Sequence, residues 1–351
     1  MMSRTIVAAG IALVACRTHP ASTAEDRQVS RAAVAPLPAA AVISEGEGHA
    51  VATREAMVGR PAPEASLELL DGSRVELAAL AGKKPVYLKF WATWCKPCKE
   101  QMPHLEAAYR RYGDRMAVYA VDLGLNDPIE TVRAFRAEHG LTVPIALDGD
   151  GALAERFQVA VTPMHVLIDR AGVVRYVGHE ASPELDRALE ALVGESALPG
   201  EPAPRAAAGG DALALALRDG STFTLAAHAG APVALTFVTT WCDGYLAKSR
   251  PAMSEACAEH ARQVAALQAS HPGLAWVMVA HPVWTSPEDL DDYLHRFGLA
   301  APIGLDARAA WFQHFKVRDV PTTVVLDGRG GEVARIAGGG EALAGALARL
   351  R

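Results

Sequence analysis

The sequence has few cysteines, little net charge and no long apolar segment. Its 351 residues include five cysteines, at positions 16, 95, 98, 242 and 257, which do not make a disulfide framework. The net charge of −6 argues against nucleic acid as a partner. No apolar run reaches the ~18 residues that a membrane-spanning helix needs. No second cysteine or cysteine–histidine pair stands at the spacing of a zinc ribbon, so no metal is expected.

The length and composition of the chain indicate two globular domains. A chain of 351 residues is too long for one small α/β unit and suits two domains of about 150 residues each. Half of the residues are apolar, so each domain can bury a core of its own.

A Cys-x-x-Cys pair, Cys95 and Cys98, follows an apolar run over residues 85–90 that predicts a buried strand. A helix is expected to begin at Cys95, where the positive end of the helix dipole favours a thiolate. Such a thiolate attacks a partner's disulfide, and the second cysteine resolves the mixed disulfide. Half a zinc site and a purely structural disulfide are the alternatives.

The residues around this pair resemble the thioredoxin superfamily, and more closely the TlpA-like periplasmic thiol-disulfide reductases. The similarity extends over about residues 57–193. The matching segments are Gly59 to Pro63, Leu70 to Gly72, Leu80 to Lys83, Phe90 to Cys95, Glu100 to Pro103 and Val161 to Pro163. The alternation of strands and helices, ending in a hairpin and a helix, predicts an α/β sandwich. The resemblance makes it thioredoxin-like and implies that Trp94, Thr162 and Pro163 dock the substrate.

The most specific structural prediction that the resemblance makes concerns Pro163. It implies a cis bond after Thr162, placed against the dithiol, where the preceding backbone pairs with an extended substrate segment. A trans proline at the start of an edge strand is the alternative, because cis X-Pro bonds are uncommon in general.

Lys89 departs from the thioredoxin pattern, which has a buried acid at this position of the strand. A lysine whose ammonium reaches the sulfur would favour a cysteine thiolate. Alternatively, Lys89 extends to the surface. Five of the seven lysines lie between residues 83 and 99, which indicates an electropositive face around Cys95.

The first 15 residues have the features of a bacterial lipoprotein signal peptide. Arg4 precedes an apolar core that ends Leu13-Val14-Ala15-Cys16, which resembles a lipobox with cleavage before an acylated Cys16. By that resemblance the mature chain is held by lipid on the periplasmic side of a membrane, and Arg17 favours the outer membrane. Residues 16–56 are rich in small and polar residues and predict a disordered tether, within which a short helix is an alternative.

Residues 200–351 repeat residues 57–196, because seven segments recur in the same order. The repeat predicts a second, degenerate thioredoxin-like domain, with about ten extra residues near 258–274. Cys242 stands in place of Cys95 and Pro321 in place of Pro163, but Tyr245 replaces the resolving cysteine. A continuous helix from Cys242 would place Cys257 too far away for a disulfide; a loop before Pro251 would bring it close. We favour the continuous helix.

Six histidines of the repeat suggest copper handling, but they lack the Cys-x-x-x-Cys spacing of Sco-like proteins. They are therefore interpreted as scattered surface residues. They are His228, His260, His271, His281, His295 and His314.

These patterns predict a lipid-anchored, extracytoplasmic thiol-disulfide oxidoreductase without a cofactor. The resemblance implies that it reduces protein disulfides with electrons from a membrane thiol donor. Cytochrome maturation and cupric-site assembly are known uses of such reductases, and no residue here chooses between them. A disulfide oxidase, and a client-binding or metal-site assembly protein with a thioredoxin-like scaffold, are the alternative functions.

Overall fold

The computed structural model describes residues 45–194, 213–338 and 342–348. We refer to residues 45–194 as the first half and to residues 213–348 as the second half. The predicted signal peptide, Cys16 and the segment between the halves lie outside the described residues. No helix in the described ranges has the length and apolar character needed to cross a membrane.

The first half contains one mixed sheet of seven strands with helices packed against it. The strands are β1 (Ser66–Leu69), β2 (Arg74–Glu76), β3 (Val86–Trp91), β4 (Ala117–Asp122), β5 (Ile145–Leu147), β6 (Met164–Ile168) and β7 (Val174–Gly178). Their order is β2-β1-β5-β4-β3-β6-β7. Strand β3 is buried along its whole length, which explains its unbroken run of bulky residues.

The helices of the first half follow the predicted alternation with strands. They are α1 (Glu45–Met57), α2 (Lys96–Glu100), α3 (Met102–Tyr112), α4 (Ile129–Glu138), α5 (Ala152–Arg156) and α6 (Pro183–Gly194). Helices α2 and α3 are separated at Gln101. Pro103 lies in the first turn of α3, where a proline needs no backbone N–H partner.

The second half repeats this plan. Its strands are β8 (Ala214–Ala216), β9 (Thr222–Thr224), β10 (Val233–Val238), β11 (Ala275–Ala280), β12 (Ile303–Leu305), β13 (Thr322–Leu326) and β14 (Glu332–Ala337). Five form a sheet in the order β12-β11-β10-β13-β14. The β8–β9 hairpin is joined to β12 by a bridge between Leu217 and Gly304, as β1 is joined to β5. The two halves are therefore two tandem copies of the thioredoxin-like fold.

The helices of the second half differ from those of the first around the second cysteine site. They are α7 (Cys242–Tyr245), α8 (Pro251–Ser270), α9 (Pro287–Phe297), α10 (Ala310–His314) and α11 (Ala342–Ala348). Helix α8 has 20 residues, whereas its counterpart α3 has 11. The extra residues predicted near 258–274 lie largely in this longer helix.

The prediction of a disordered tether as far as residue 56 is wrong for its last twelve residues. Residues 45–57 form helix α1, whose residues Ala50 and Met57 are buried against the first half. The Thr53 hydroxyl donates to the Gln158 carbonyl at 2.7 Å, and Arg54 Nε donates to the Val177 carbonyl at 2.7 Å. These long-range contacts order a segment whose composition alone indicated disorder.

Candidate active site

The Cys95–Cys98 pair lies where β3 meets α2. Cys95 is the N-cap residue of α2, and its Sγ accepts a hydrogen bond from the Cys98 backbone N–H at 3.2 Å. The two cysteines form a disulfide with Cα atoms 5.2 Å apart. A backbone N–H in this position favours a thiolate at Cys95 when the disulfide is reduced.

The peptide bond between Thr162 and Pro163 is cis, as the family resemblance predicted. It immediately precedes β6, which pairs antiparallel with β3, so the sheet carries this loop to the dithiol. The Thr162 carbonyl oxygen lies 3.5 Å from Cys95 Sγ. The sheet therefore places the Thr162 carbonyl, next to the cis bond of Pro163, against the Cys95 sulfur. Trp94 directly precedes Cys95 and is buried.

Lys89 does not extend to the surface, and that alternative is wrong. Its side chain is fully buried in β3, and its Nζ lies 3.4 Å from the Cys98 carbonyl oxygen. Burial lowers the pKa of Lys89 to about 7. The ammonium is therefore held on the Cys98 side of the pair and can lose its proton near neutral pH.

The five lysines behind the predicted electropositive face do not all lie near Cys95. Lys83 and Lys84 precede β3, whereas Cys95 follows its other end, and a six-residue strand spans about 20 Å. Lys96 is exposed and pairs with Glu100 at 2.5 Å. Two of the clustered lysines are therefore distant from the pair, and Lys89, Lys96 and Lys99 lie in or next to the segment that contains it.

A polar chain next to Lys89 was missed by the sequence analysis. The Tyr87 hydroxyl lies 2.8 Å from His165 Nδ1, and His165 Nε2 lies 2.8 Å from Gln101 Oε1. Burial and the nearby Lys89 hold the pKa of His165 well below its ordinary value, so this histidine is neutral. The only sign of this chain in the sequence was the presence of polar residues in two otherwise apolar strands: a tyrosine and a lysine in β3 and a histidine in β6.

The second half covers the dithiol. Trp241 packs on Trp94 with ring centroids 4.9 Å apart, and the Tyr245 hydroxyl accepts a hydrogen bond from the Lys96 backbone N–H at 2.8 Å. The Trp284 indole N–H donates to the Thr162 carbonyl at 3.1 Å. The accessible surface of both Cys95 and Cys98 is 0%, and no feature of the sequence analysis anticipated this contact.

The second cysteine site contains a disulfide, contrary to the continuous-helix prediction. Helix α7 ends at Tyr245, and the chain turns before Pro251 begins α8. This break brings Cys242 and Cys257 to a Cα separation of 6.1 Å and lets them bond. The Val320–Pro321 peptide is cis, like its counterpart in the first half.

Two of the six histidines in the second half are not surface residues. His260 is fully buried between the Gly338 carbonyl at 2.6 Å and the Thr323 hydroxyl at 2.8 Å. His281 is 3% exposed, and burial lowers its pKa to about 3. Within the described residues, no group of three histidine, cysteine or acidic side chains could hold a metal ion.

Comparisons with known proteins agree with this geometry. A family model described as the AhpC/TSA family matches residues 58–177. The thioredoxin-like protein YneN of Bacillus subtilis is 38% identical over 135 residues, which are 38% of this chain and 78% of YneN. The thiol-disulfide oxidoreductase ResA of Bacillus anthracis is 32% identical over 137 residues, with the same two coverages. The chain belongs to the thioredoxin-like thiol-disulfide oxidoreductases. Its Cys95-x-x-Cys98 pair is consistent with this enzyme activity.

The match to a solved structure covers a similar share of this chain. The thiol:disulfide interchange protein of Chlorobium tepidum, a thioredoxin family protein, is 25% identical, with a TM-score of 0.33. The match covers 38% of this oxidoreductase and 97% of that chain. The residues that the family model matches, 58–177, all lie within the first half.

Proposed function

We propose that this chain is an extracytoplasmic, lipid-anchored oxidoreductase that reduces protein disulfides. Its Cys95 is the nucleophile and its Cys98 the resolving thiol. The observation that supports these roles most directly is the position of Cys95 Sγ, 3.5 Å from the Thr162 carbonyl beside the cis proline. A client disulfide lying along that carbonyl would be next to the attacking sulfur.

The proposed reaction transfers two electrons from the Cys95–Cys98 dithiol to the client disulfide. The Cys95 thiolate attacks one sulfur of the client disulfide, a Cys95–client bond forms, and the other client sulfur leaves as a thiolate. The Cys98 thiol then loses its proton and attacks Cys95, which forms the Cys95–Cys98 disulfide and releases the second client thiol. A membrane thiol donor would reduce the pair again.

The anchoring and domain boundaries are part of the same proposal. Residues 1–15 would be a signal peptide, and Cys16 would receive the lipid. The tether, shortened to residues 16–44, would join the anchor to two thioredoxin-like domains, residues 57–196 and 200–351. A catalytic domain that is anchored to a membrane would need such a tether to reach its protein substrates.

Trapping of the mixed disulfide tests the assignment of the two thiols. The Cys98→Ser protein, reduced and then mixed with a small disulfide, should retain a mixed disulfide on Cys95, since no resolving thiol remains. The Cys95→Ser protein should form none there and should lose at least ~100-fold in disulfide reduction. Mass spectrometry of the Cys95 peptide gives the measurement, and continued reduction by the Cys95→Ser protein would show that the nucleophile is wrongly assigned.

A further inference from the structure

The contact between the halves has an approximate twofold symmetry centred on two tryptophans. Trp94 and Trp241 each precede the first cysteine of their half, and their rings meet at 4.9 Å. Each indole N–H donates at 2.7 Å to a carbonyl of its own half, Trp94 to Leu125 and Trp241 to Val283. The same surface of each copy thus faces its equivalent, as in an isologous dimer.

Each half also inserts one loop residue into the cis-proline loop of the other. The Asn126 backbone N–H donates to the Arg318 carbonyl at 2.8 Å, and the Trp284 backbone N–H donates to the Ala160 carbonyl at 3.0 Å. Asn126 and Trp284 stand at the same distance after β4 and β11. Both have left-handed backbone angles, with φ of 52° and 55°, which is unusual for a tryptophan.

Trp284 donates hydrogen bonds to the backbone carbonyls of Ala160 and Thr162, which form the docking surface next to the dithiol. Its indole N–H donates to the Thr162 carbonyl, in addition to the backbone bond to Ala160. Its ring lies edge-on to His49 and His179, with centroids 5.8 and 5.3 Å away. A client segment that paired with the backbone before Pro163 would have to displace this residue.

Polar contacts join the halves around these aromatic rings. The Arg250 guanidinium binds the buried carboxylate of Asp127 at 3.0 Å and the Asn126 carbonyl at 3.0 Å. The Arg318 guanidinium donates to the carbonyls of Leu123 and Asp148. Interfaces between domains of one chain resemble transient protein–protein contacts, and relative motion of the domains is the usual expectation.

We propose that the second half is a built-in cap of the dithiol, in which Trp284 occupies the client's place at Ala160 and Thr162. A protein disulfide reaches Cys95 only when the halves separate, and the client competes with the cap for the same backbone acceptors. The degenerate half therefore regulates access and has no need of a Cys-x-x-Cys pair. This inference rests on the proposed function of Cys95.

Alkylation of the reduced full-length chain tests the cap without relying on catalysis. The Trp284→Ala protein should react with iodoacetamide at Cys95 about tenfold faster than the unaltered protein, since two contacts at the docking surface are weakened or lost. The Tyr245→Phe protein should react about threefold faster, because only the acceptor for the Lys96 N–H is removed. The Arg218→Ala protein is the matched control: it breaks an exposed ion pair with Asp291 inside the second half and should leave the rate unchanged.

A second measurement separates failure of the cap from failure of the proposed function. Each protein is assayed for reduction of insulin and of cystamine, and Trp284→Ala should raise the insulin rate more than the cystamine rate. Equal Cys95 alkylation in all four proteins would overturn the cap, whether or not they reduce disulfides. Faster alkylation without reduction of either disulfide would support the cap and refute the reductase. If Trp284→Ala does not fold, Tyr245→Phe decides, because that side chain belongs to a residue that is 45% exposed.

Discussion

Lys89 is the residue at which burial and charge conflict most directly. Its side chain is fully buried in the central strand and its pKa falls to about 7, because burial penalises the charged form. Between pH 7 and about 10.4 the unfolded chain binds a proton on this lysine that the folded chain does not. The lysine therefore costs stability, and this cost grows as the pH falls towards 7.

Replacing Lys89 with methionine should stabilise the oxidised protein more at low pH. We expect the gain in free energy of unfolding to be about 3 kcal/mol larger at pH 6 than at pH 9.5, since the buried charge exists mainly at pH 6. Urea unfolding at the two pH values measures it. Lys84→Met, which alters a half-buried lysine outside the strand, is the control, and a gain independent of pH would contradict the pKa assigned to Lys89.

Sequence reasoning gave opposite results for two residues of this site. The cis bond at Pro163 was predicted correctly because the family resemblance implies it. The burial of Lys89 was not, because a lysine in an apolar run is compatible both with a buried strand position and with a side chain that reaches the surface. Which one occurs depends on the Cys98 carbonyl and on packing against β6, where His165 stands opposite Lys89 although it is distant in sequence.

At the scale of elements, the disulfide between Cys242 and Cys257 fixes the break between α7 and α8. It ties a four-residue helix to the second turn of a 20-residue helix. This break differs from the continuous helix that was predicted from Cys242. The turn before Pro251 changed the geometry, because the chain re-enters a helix in a new direction with proline at its first turn.

Removal of this disulfide should destabilise the protein without altering the chemistry of Cys95. A closed loop of about 15 residues gives an expected loss of about 3 kcal/mol for the Cys242→Ser, Cys257→Ser protein. Urea unfolding under oxidising conditions measures the loss. The same comparison in reducing buffer is the control, where the two proteins should have nearly equal stability; an equal stability under oxidising conditions would mean that the bond does not constrain the unfolded chain.

The order of the elements was largely predictable, and their association was not. Apolar runs at strand spacing predicted the strands, the family resemblance implied a thioredoxin-like first half, and the repeated segments extended it to the second half. The position and packing of helix α1 were not predicted, because its order comes from contacts of Thr53 and Arg54 with residues more than 100 positions away. The contact between halves leaves one sequence trace, the tryptophan retained at position 241 after the Cys-x-x-Cys pair was lost.

For the whole molecule, Arg318 links the stability of the contact between halves to pH. This arginine of the second half lies near the buried Asp148 of the first, whose pKa burial raises to about 6 while the guanidinium opposes that rise. A carboxyl with a raised pKa stabilises the folded chain fully below its unfolded value, about 3.9, and this contribution is lost as the pH rises through 6. Above pH 6 the ionised Asp148 needs the nearby cation.

The Arg318→Met protein should therefore lose more stability at neutral than at acidic pH. We expect a loss of about 3 kcal/mol at pH 7.5, where a buried carboxylate loses its neighbouring cation. At pH 4.5 the loss should be about 1 kcal/mol, because Asp148 is protonated and only the hydrogen bonds to the Leu123 and Asp148 carbonyls are missing. Urea unfolding at both pH values gives the comparison. Arg335→Met is the matched control, since Arg335 binds Glu332 and the Phe315 carbonyl within the second half and should show a small loss at either pH. If the Arg318→Met loss is the same at both pH values, the arginine acts through its hydrogen bonds alone, and the electrostatic link between the halves does not exist.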